Sequence, residues 1–96
     1  MLVALIARDK VGHIEVRKAN RSDHIDYLNS GTAVSQAGPL LSDAGEMIGS
    51  LIILEVNVLE DARAWSENDP YFKAGLFESV EFILWDKVMK RALLAL

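Results

Sequence analysis

The sequence contains no cysteine, so disulfide frameworks and thiolate metal sites are excluded, and the redox compartment is left open. It has two prolines and six glycines, and no linker, repeat or low-complexity segment. No apolar run approaches the ~18 residues that a spanning helix needs. The apolar start, Met1 to Ala7, has no basic region before it and is cut off by Arg8-Asp9-Lys10. That reads as a strand and not as a secretory leader, so a cytoplasmic protein without a membrane partner is expected. Basic charge is also short. The net charge of −4 argues against nucleic acid as a partner, because phosphate binding needs a basic face. Histidine occurs only twice, as His13 and His24, so proton chemistry near neutral pH has few candidates.

What is present suits one small domain over residues 1–96. Half of the residues (51%) are hydrophobic, enough for a core. A domain of this size still buries a limited share of its surface, and a partner subunit would help. Leu2 to Ala7 reads as a first strand and the mixed, polar run Val11 to Asn20 as a loop. Arg21 to Leu28 reads as a short helix, capped by Ser22 or Asn20 and ended by Ser30-Gly31. Thr32 to Ala37 is a second strand stopping at the turn signal Gly38-Pro39. Ser42 to Glu46 is a hairpin loop, and Ile48 to Val56 a third strand. Asn57 opens a second helix with Glu60 three residues on, and Val58, Ala62 and Trp65 form its buried face. A fourth strand runs from Leu76 or Phe77 to Trp85. The order strand-helix-strand-strand-helix-strand predicts an α+β fold of the ferredoxin-like βαββαβ type, with a four-stranded antiparallel sheet. The runs Leu2 to Ala7 and Leu51 to Leu54 do not alternate apolar with polar, as a sheet with one wet face should. Helices can cover one face. A second copy of the sheet would cover the other, which predicts a homodimer. The tail 86–96 has apolar residues at helical spacing and is expected to form a terminal helix.

Asn68 to Gly75 is the most specific run. Pro70 disfavours helix at Asp69 and is itself favoured at the first position of a helix. Asp69 is therefore expected at an N-cap, with the turn ending at Gly75. The same fixed carboxylate could orient a second group, and His24, bordering the apolar stripe of its helix, is the candidate. A carboxylate on one imidazole nitrogen fixes the tautomer and raises the basicity of the other, which suits a general acid or base. Spacing alone does not join two residues 45 positions apart. The bland alternative is that Asp69 only caps and His24 only packs. His13 reads as a solvated loop residue. Arg21 is either an anion contact or a solvated charge. Ser50 has no nucleophile-elbow glycines around it and reads as a pocket-lining hydroxyl. Gly38-Pro39 is a turn or a place where backbone approaches a ligand. His24 and Asp26 lack a third metal ligand, and no glycine loop cradles a phosphate, so no metal or cofactor is expected.

The motifs Arg21-x-x-His24-x-x-Tyr27-Leu28, Ala37-Gly38-Pro39-Leu40, Gly49-Ser50, Ala62-x-x-Trp65 and Asp69-Pro70-Tyr71 with Ala74-Gly75 together resemble the YciI-like (YCII-related) domain, over roughly Met1 to Trp85. The resemblance implies a dimeric α/β barrel and a pocket holding a His–Asp pair, which falls on His24 and Asp69. Ser50, Gly38, Pro39, Tyr71 and Arg21 would line it. Most members of that family have no known function. One is a dehydrochlorinase of chloroaromatic breakdown, and related dimeric barrels include muconolactone isomerase and cofactor-free monooxygenases. The expected activity is therefore acid–base chemistry of the lyase, isomerase or dehydrochlorinase type on a small molecule. The rival expectations are a dimeric module that binds a small ligand without turning it over, and a purely structural dimer.

Overall fold

The computed structural model describes residues 1–90. Strand β1 (Leu2–Asp9) is followed by helix α1 (Ile14–Asn29), the strand pair β2 (Val34–Leu41) and β3 (Met47–Glu55), helix α2 (Leu59–Glu67), the one-turn helix α3 (Pro70–Lys73) and strand β4 (Phe77–Trp85). The strands form one antiparallel sheet in the order β2-β3-β1-β4. This is the ferredoxin-like α+β arrangement expected from the element order.

The two central strands have the least polar sequences. Val3, Leu5 and Ala7 of β1 and Ile52 and Leu54 of β3 point to one face, and all five are buried. Ala62 of α2 joins them, with Leu28, Leu59, Trp65, Val80 and Phe82 packed around. The opposite face carries Leu2, Ala4 and Ile6 of β1, Leu51 and Ile53 of β3, and Ile83 and Trp85 of β4, by the alternation of the strands and their register. No described helix lies on that face. Leu51, Ile83 and Trp85 are 37%, 47% and 42% exposed there.

The β2–β3 hairpin closes where Ser42 donates its N–H to Glu46 O at 2.8 Å and Gly45 donates to Ser42 O at 2.9 Å. Gly45 has φ of 83°, a conformation that glycine adopts without strain.

Four local expectations are corrected. Helix α1 begins at Ile14, so most of the run read as a loop is helical, and neither Asn20 nor Ser22 caps it. Asn20 instead donates to Val16 O within the helix at 2.9 Å. Strand β2 does not stop at Ala37. It continues through Gly38 and Pro39, which pair with Leu51 and Ser50; β2 is an edge strand, where a missing N–H is tolerated. Helix α2 starts one residue later than expected, with Val58 at an extended N-cap, no side-chain cap, and Val58 exposed instead of on the buried face. Residues 86–90 form no helix, and the remainder of the expected terminal helix lies outside the described residues. No described helix is long and apolar enough to cross a membrane.

Candidate functional site

Helix α1 lies over the β2 side of the sheet and presents Arg17, Arg21, His24 and Leu28 along one stripe, at i, i+4, i+7 and i+11. This spacing places them on one helical face. Arg17 and His24 are buried, 3% and 6% exposed. A helix normally buries an apolar stripe; here the two buried residues of the stripe, Arg17 and His24, are basic and border a cavity.

Helix α3 supplies the opposing wall. Asp69 is in extended conformation at its N-cap, Pro70 occupies the first turn, and the Asp69 carboxylate accepts from the Tyr71 N–H at 3.0 Å. The same oxygen, Oδ1, lies 2.7 Å from Nδ1 of His24. One carboxylate oxygen therefore makes both the cap and the contact to the imidazole. An oxygen that already accepts from a backbone N–H acts as an acceptor toward the imidazole too. The proton of a neutral His24 then sits on Nδ1, leaving Nε2 with a free lone pair. Asp69 is 1% exposed, so this pairing is shielded from water. The Tyr71 ring stacks on the imidazole with centroids 3.8 Å apart and planes 14° from parallel, which fixes the ring plane.

A second polar arm enters from the other side. Arg17 forks onto Asp9, with Nε to Oδ2 at 2.7 Å and Nη2 to Oδ1 at 2.9 Å. Its Nη2 also donates to Ser50 Oγ at 2.9 Å. Ser50 accepts this bond, so its own O–H is left to donate. The Arg17 guanidinium lies 4.7 Å from the centroid of Tyr71, so the same ring touches both arms. Burial disfavours the Arg17 charge, but hydrogen bonding and attraction to Asp9 outweigh it, and its pKa is raised. Burial also pushes the Tyr71 phenol up, against the opposing pull of Arg17 and Arg21. Tyr71 is a neutral phenol near neutral pH.

Between the arms is a cavity of about 180 Å³. Its walls include Arg21, His24, Ser50 and Tyr71, the apolar residues Ile25, Leu28, Ala37 and Ile52, and the strand pair Gly38-Pro39. The seven residues singled out in the sequence are thus brought to one place: six line the cavity, and Asp69 sits behind His24. His13 lies outside it, at the start of α1, with Nδ1 3.0 Å from Val11 O. Asp9 and Arg17 were missed. The signal was the repeat Arg17, Arg21, His24 at helical spacing, hidden by reading residues 11–20 as a loop. Among the described residues, no three His, Asp or Glu side chains converge as a metal site.

The model of the YCII-related domain matches residues 1–86. Protein YciI of Escherichia coli O6:H1 (strain CFT073) is 33% identical over 97 residues, spanning 92% of this chain and 99% of that protein. Among solved structures, the 5-chloro-2-hydroxyhydroquinone dehydrochlorinase of Burkholderia phenoliruptrix AC1100, in complex with 2,5-dihydroxybenzoquinone, superposes with a TM-score of 0.81 at 32% identity, covering 90% of this chain and 94% of that one. A NIPSNAP domain protein of Burkholderia xenovorans superposes with a TM-score of 0.52 at 17% identity, covering 95% and 100%; that likeness concerns the fold alone.

Proposed function

From the membership of this chain in the YCII-related domain family, and from the geometry of its cavity, we propose an enzyme of the lyase, isomerase or dehydrochlorinase type, with His24 as general acid–base. The observation that carries this reading is the 2.7 Å contact between His24 Nδ1 and Asp69 beside a cavity of single-ring size. Nε2 of His24 would take a proton from a carbon next to a substrate carbonyl. As that bond breaks, its electron pair moves toward the carbonyl oxygen, where the Ser50 hydroxyl, polarised by Arg17, donates to the growing negative charge. Collapse then follows one of two routes. The imidazolium returns the proton to another atom, giving an isomer, or the enolate pair folds back to form a carbon–carbon double bond while a leaving group such as chloride on the next carbon departs with the electrons of its own bond, leaving the proton on His24 for solvent. Asp69 stabilises the transient imidazolium and holds its orientation. Gly38, Pro39 and Tyr71 would shape the wall, and Arg21 would contact substrate at the rim.

A second copy of the chain is proposed to pack on the open face of the sheet, where Leu51, Ile83 and Trp85 are partly exposed. It would complete a dimeric α/β barrel.

The test is chloride release from 5-chloro-2-hydroxyhydroquinone, together with solvent deuterium exchange into small cyclic ketones, for wild type, His24→Ala and Asp69→Asn. His24→Ala is expected to lower turnover by about 10²–10⁴-fold, the span usual for a lost acid–base group, while the fold persists. In Asp69→Asn, the imidazole ¹⁵N shifts should report loss of the single Nδ1–H tautomer. A ligand retained by wild type without turnover, and released by His24→Ala, would make the protein a binding module instead. Loss of stability alone in His24→Ala would leave the pair with a structural role.

A further inference from the structure

The charges around the cavity do not cancel. Two arginines line it and no carboxylate does. Arg17 is neutralised by its two hydrogen bonds to Asp9. Asp69 is turned away, its Oδ1 engaged by His24 and by the Tyr71 N–H. Arg21 has no hydrogen bond or ion pair among the described residues, although its neighbours Arg17 and Lys18 both have acidic partners. It is exposed at the rim, one helical turn from Arg17, and its charge reaches the Tyr71 phenol inside. The chain as a whole is acidic, at −4. An uncompensated cation at the mouth of a cavity in an acidic molecule is the local field an anion would follow.

We propose that Arg21 sets the charge of the ligand, so that the cavity takes a single-ring organic monoanion whose planar oxyanion group docks on the Arg21 guanidinium. The proposal rests on the cavity being a small-molecule site, as read above, and names the class of molecule that fits. Size and polarity divide the task. An apolar cavity of ~150 Å³ takes up benzene, so about 180 Å³ holds one ring and a substituent. Ile25, Leu28, Ala37 and Ile52 supply an apolar wall for the ring. Ser50 donates to a neutral oxygen at the inner end, where a full negative charge has no free cation to meet. Arg21 presents a planar fork of N–H donors that matches a carboxylate or an ionised enol.

The test uses benzoate, its neutral isostere benzamide, and inorganic phosphate as probes. Binding to wild type and Arg21→Gln is followed by the backbone amide shifts of His24 and Ser50. Wild type is expected to bind benzoate at least about tenfold more tightly than benzamide, the lower range for one charge-assisted hydrogen bond. Arg21→Gln should bring the two to near parity without altering the remaining amide spectrum. Phosphate should bind more weakly than benzoate, because it gains nothing from the apolar wall. Equal binding of benzoate and benzamide by wild type would overturn the proposal. So would an undiminished benzoate preference in Arg21→Gln, phosphate binding as tight as benzoate, or no response of the cavity amides to benzoate. Binding requires no proton transfer, so a wild type that selects benzoate but turns nothing over would sink the acid–base reading and leave this one standing. Turnover dependent on His24 without anion preference would do the reverse.

Discussion

Asp69 and Tyr71 show how two residues on either side of one proline can serve a fold and a candidate site together. The carboxylate fixes the start of α3 through the Tyr71 N–H and fixes His24 through the same oxygen. The Tyr71 ring then stacks on that imidazole and also meets the Arg17 guanidinium. Burial favours the neutral phenol, and the Tyr71 pKa is raised, chiefly by desolvation. Tyr27 is raised for the same first reason, with the nearby Asp69 charge adding to it; its O–H donates to Trp65 O at 2.7 Å. The sign of the pH effect follows. A phenol whose folded pKa lies above the usual ~10 keeps its proton longer in the folded chain, so the unfolded chain loses protons first as pH rises. The stability this contributes is fully present below pH ~10 and is lost as pH climbs through the folded values. The chain has only these two tyrosines, so absorbance near 295 nm reads them without background from others. Both phenols are expected to be less ionised in the native chain than in the unfolded chain at the same pH near ~10, with circular dichroism reporting which state is present. A native chain as ionised at that pH as the unfolded chain would mean that neither phenol is held in its neutral form by the fold.

At the scale of elements, the order of strands and helices could be read because it depends on apolar density, which the two central strands carry in Leu2 to Ala7 and Leu51 to Leu54. The start of α1 could not. An apolar period is the mark of a helix in a sequence, and the first three positions of the α1 stripe that borders the cavity are Arg17, Arg21 and His24. The residues that make the cavity polar are the ones that erase the helical signal. Gly38-Pro39 misled for a different reason. The pair signals a turn in isolation, but β2 is an edge strand, and edge position is a property of the sheet rather than of the dipeptide. Capping at Asp69 was legible because both its partner N–H and its proline are local; the meeting with His24 needed the packing of α1 on α3. Strand β3 holds Ser50 in place, and its glycine neighbour offers a test. A Cβ on Gly49 would run into the backbone carbonyl of Ala7 on β1, which cannot rotate away, whereas one on Gly38 would meet open space. Gly49→Ala is expected to destabilise by about 1–3 kcal/mol, and Gly38→Ala by no more than about 0.5 kcal/mol. Urea unfolding of both variants checks this. Equal midpoints would show that β3 and β1 can separate freely at this point, and that the glycine is not needed to seat Ser50.

Over the whole molecule, the two faces of the sheet differ in what covers them. The face with Val3, Leu5, Ala7, Ile52 and Leu54 lies under the helices. The other presents Leu51, Ile83 and Trp85 with the smaller apolar residues of β1 between them, as the register sets Ile6 opposite Leu51 and Ala4 opposite both Ile53 and Ile83. The homodimer proposed above would use this face, since a two-fold pairing matches the patch with itself. Light scattering coupled to size exclusion at micromolar concentration should therefore report twice the 10.6 kDa of one chain. Leu51→Glu with Ile83→Glu places two carboxylates on the patch in each copy. Like charges brought together across a dehydrated interface oppose association, and the pair should shift the particle to the mass of one chain. Neither residue contacts the cavity beside His24, so the imidazole ¹⁵N signature of His24 serves as an internal control. A monomeric double variant with that signature intact would locate the interface on the sheet and separate assembly from the geometry of the site. If wild type already runs at 10.6 kDa, the open face does not pair with itself. If the variant stays at twice that mass, the copies meet elsewhere.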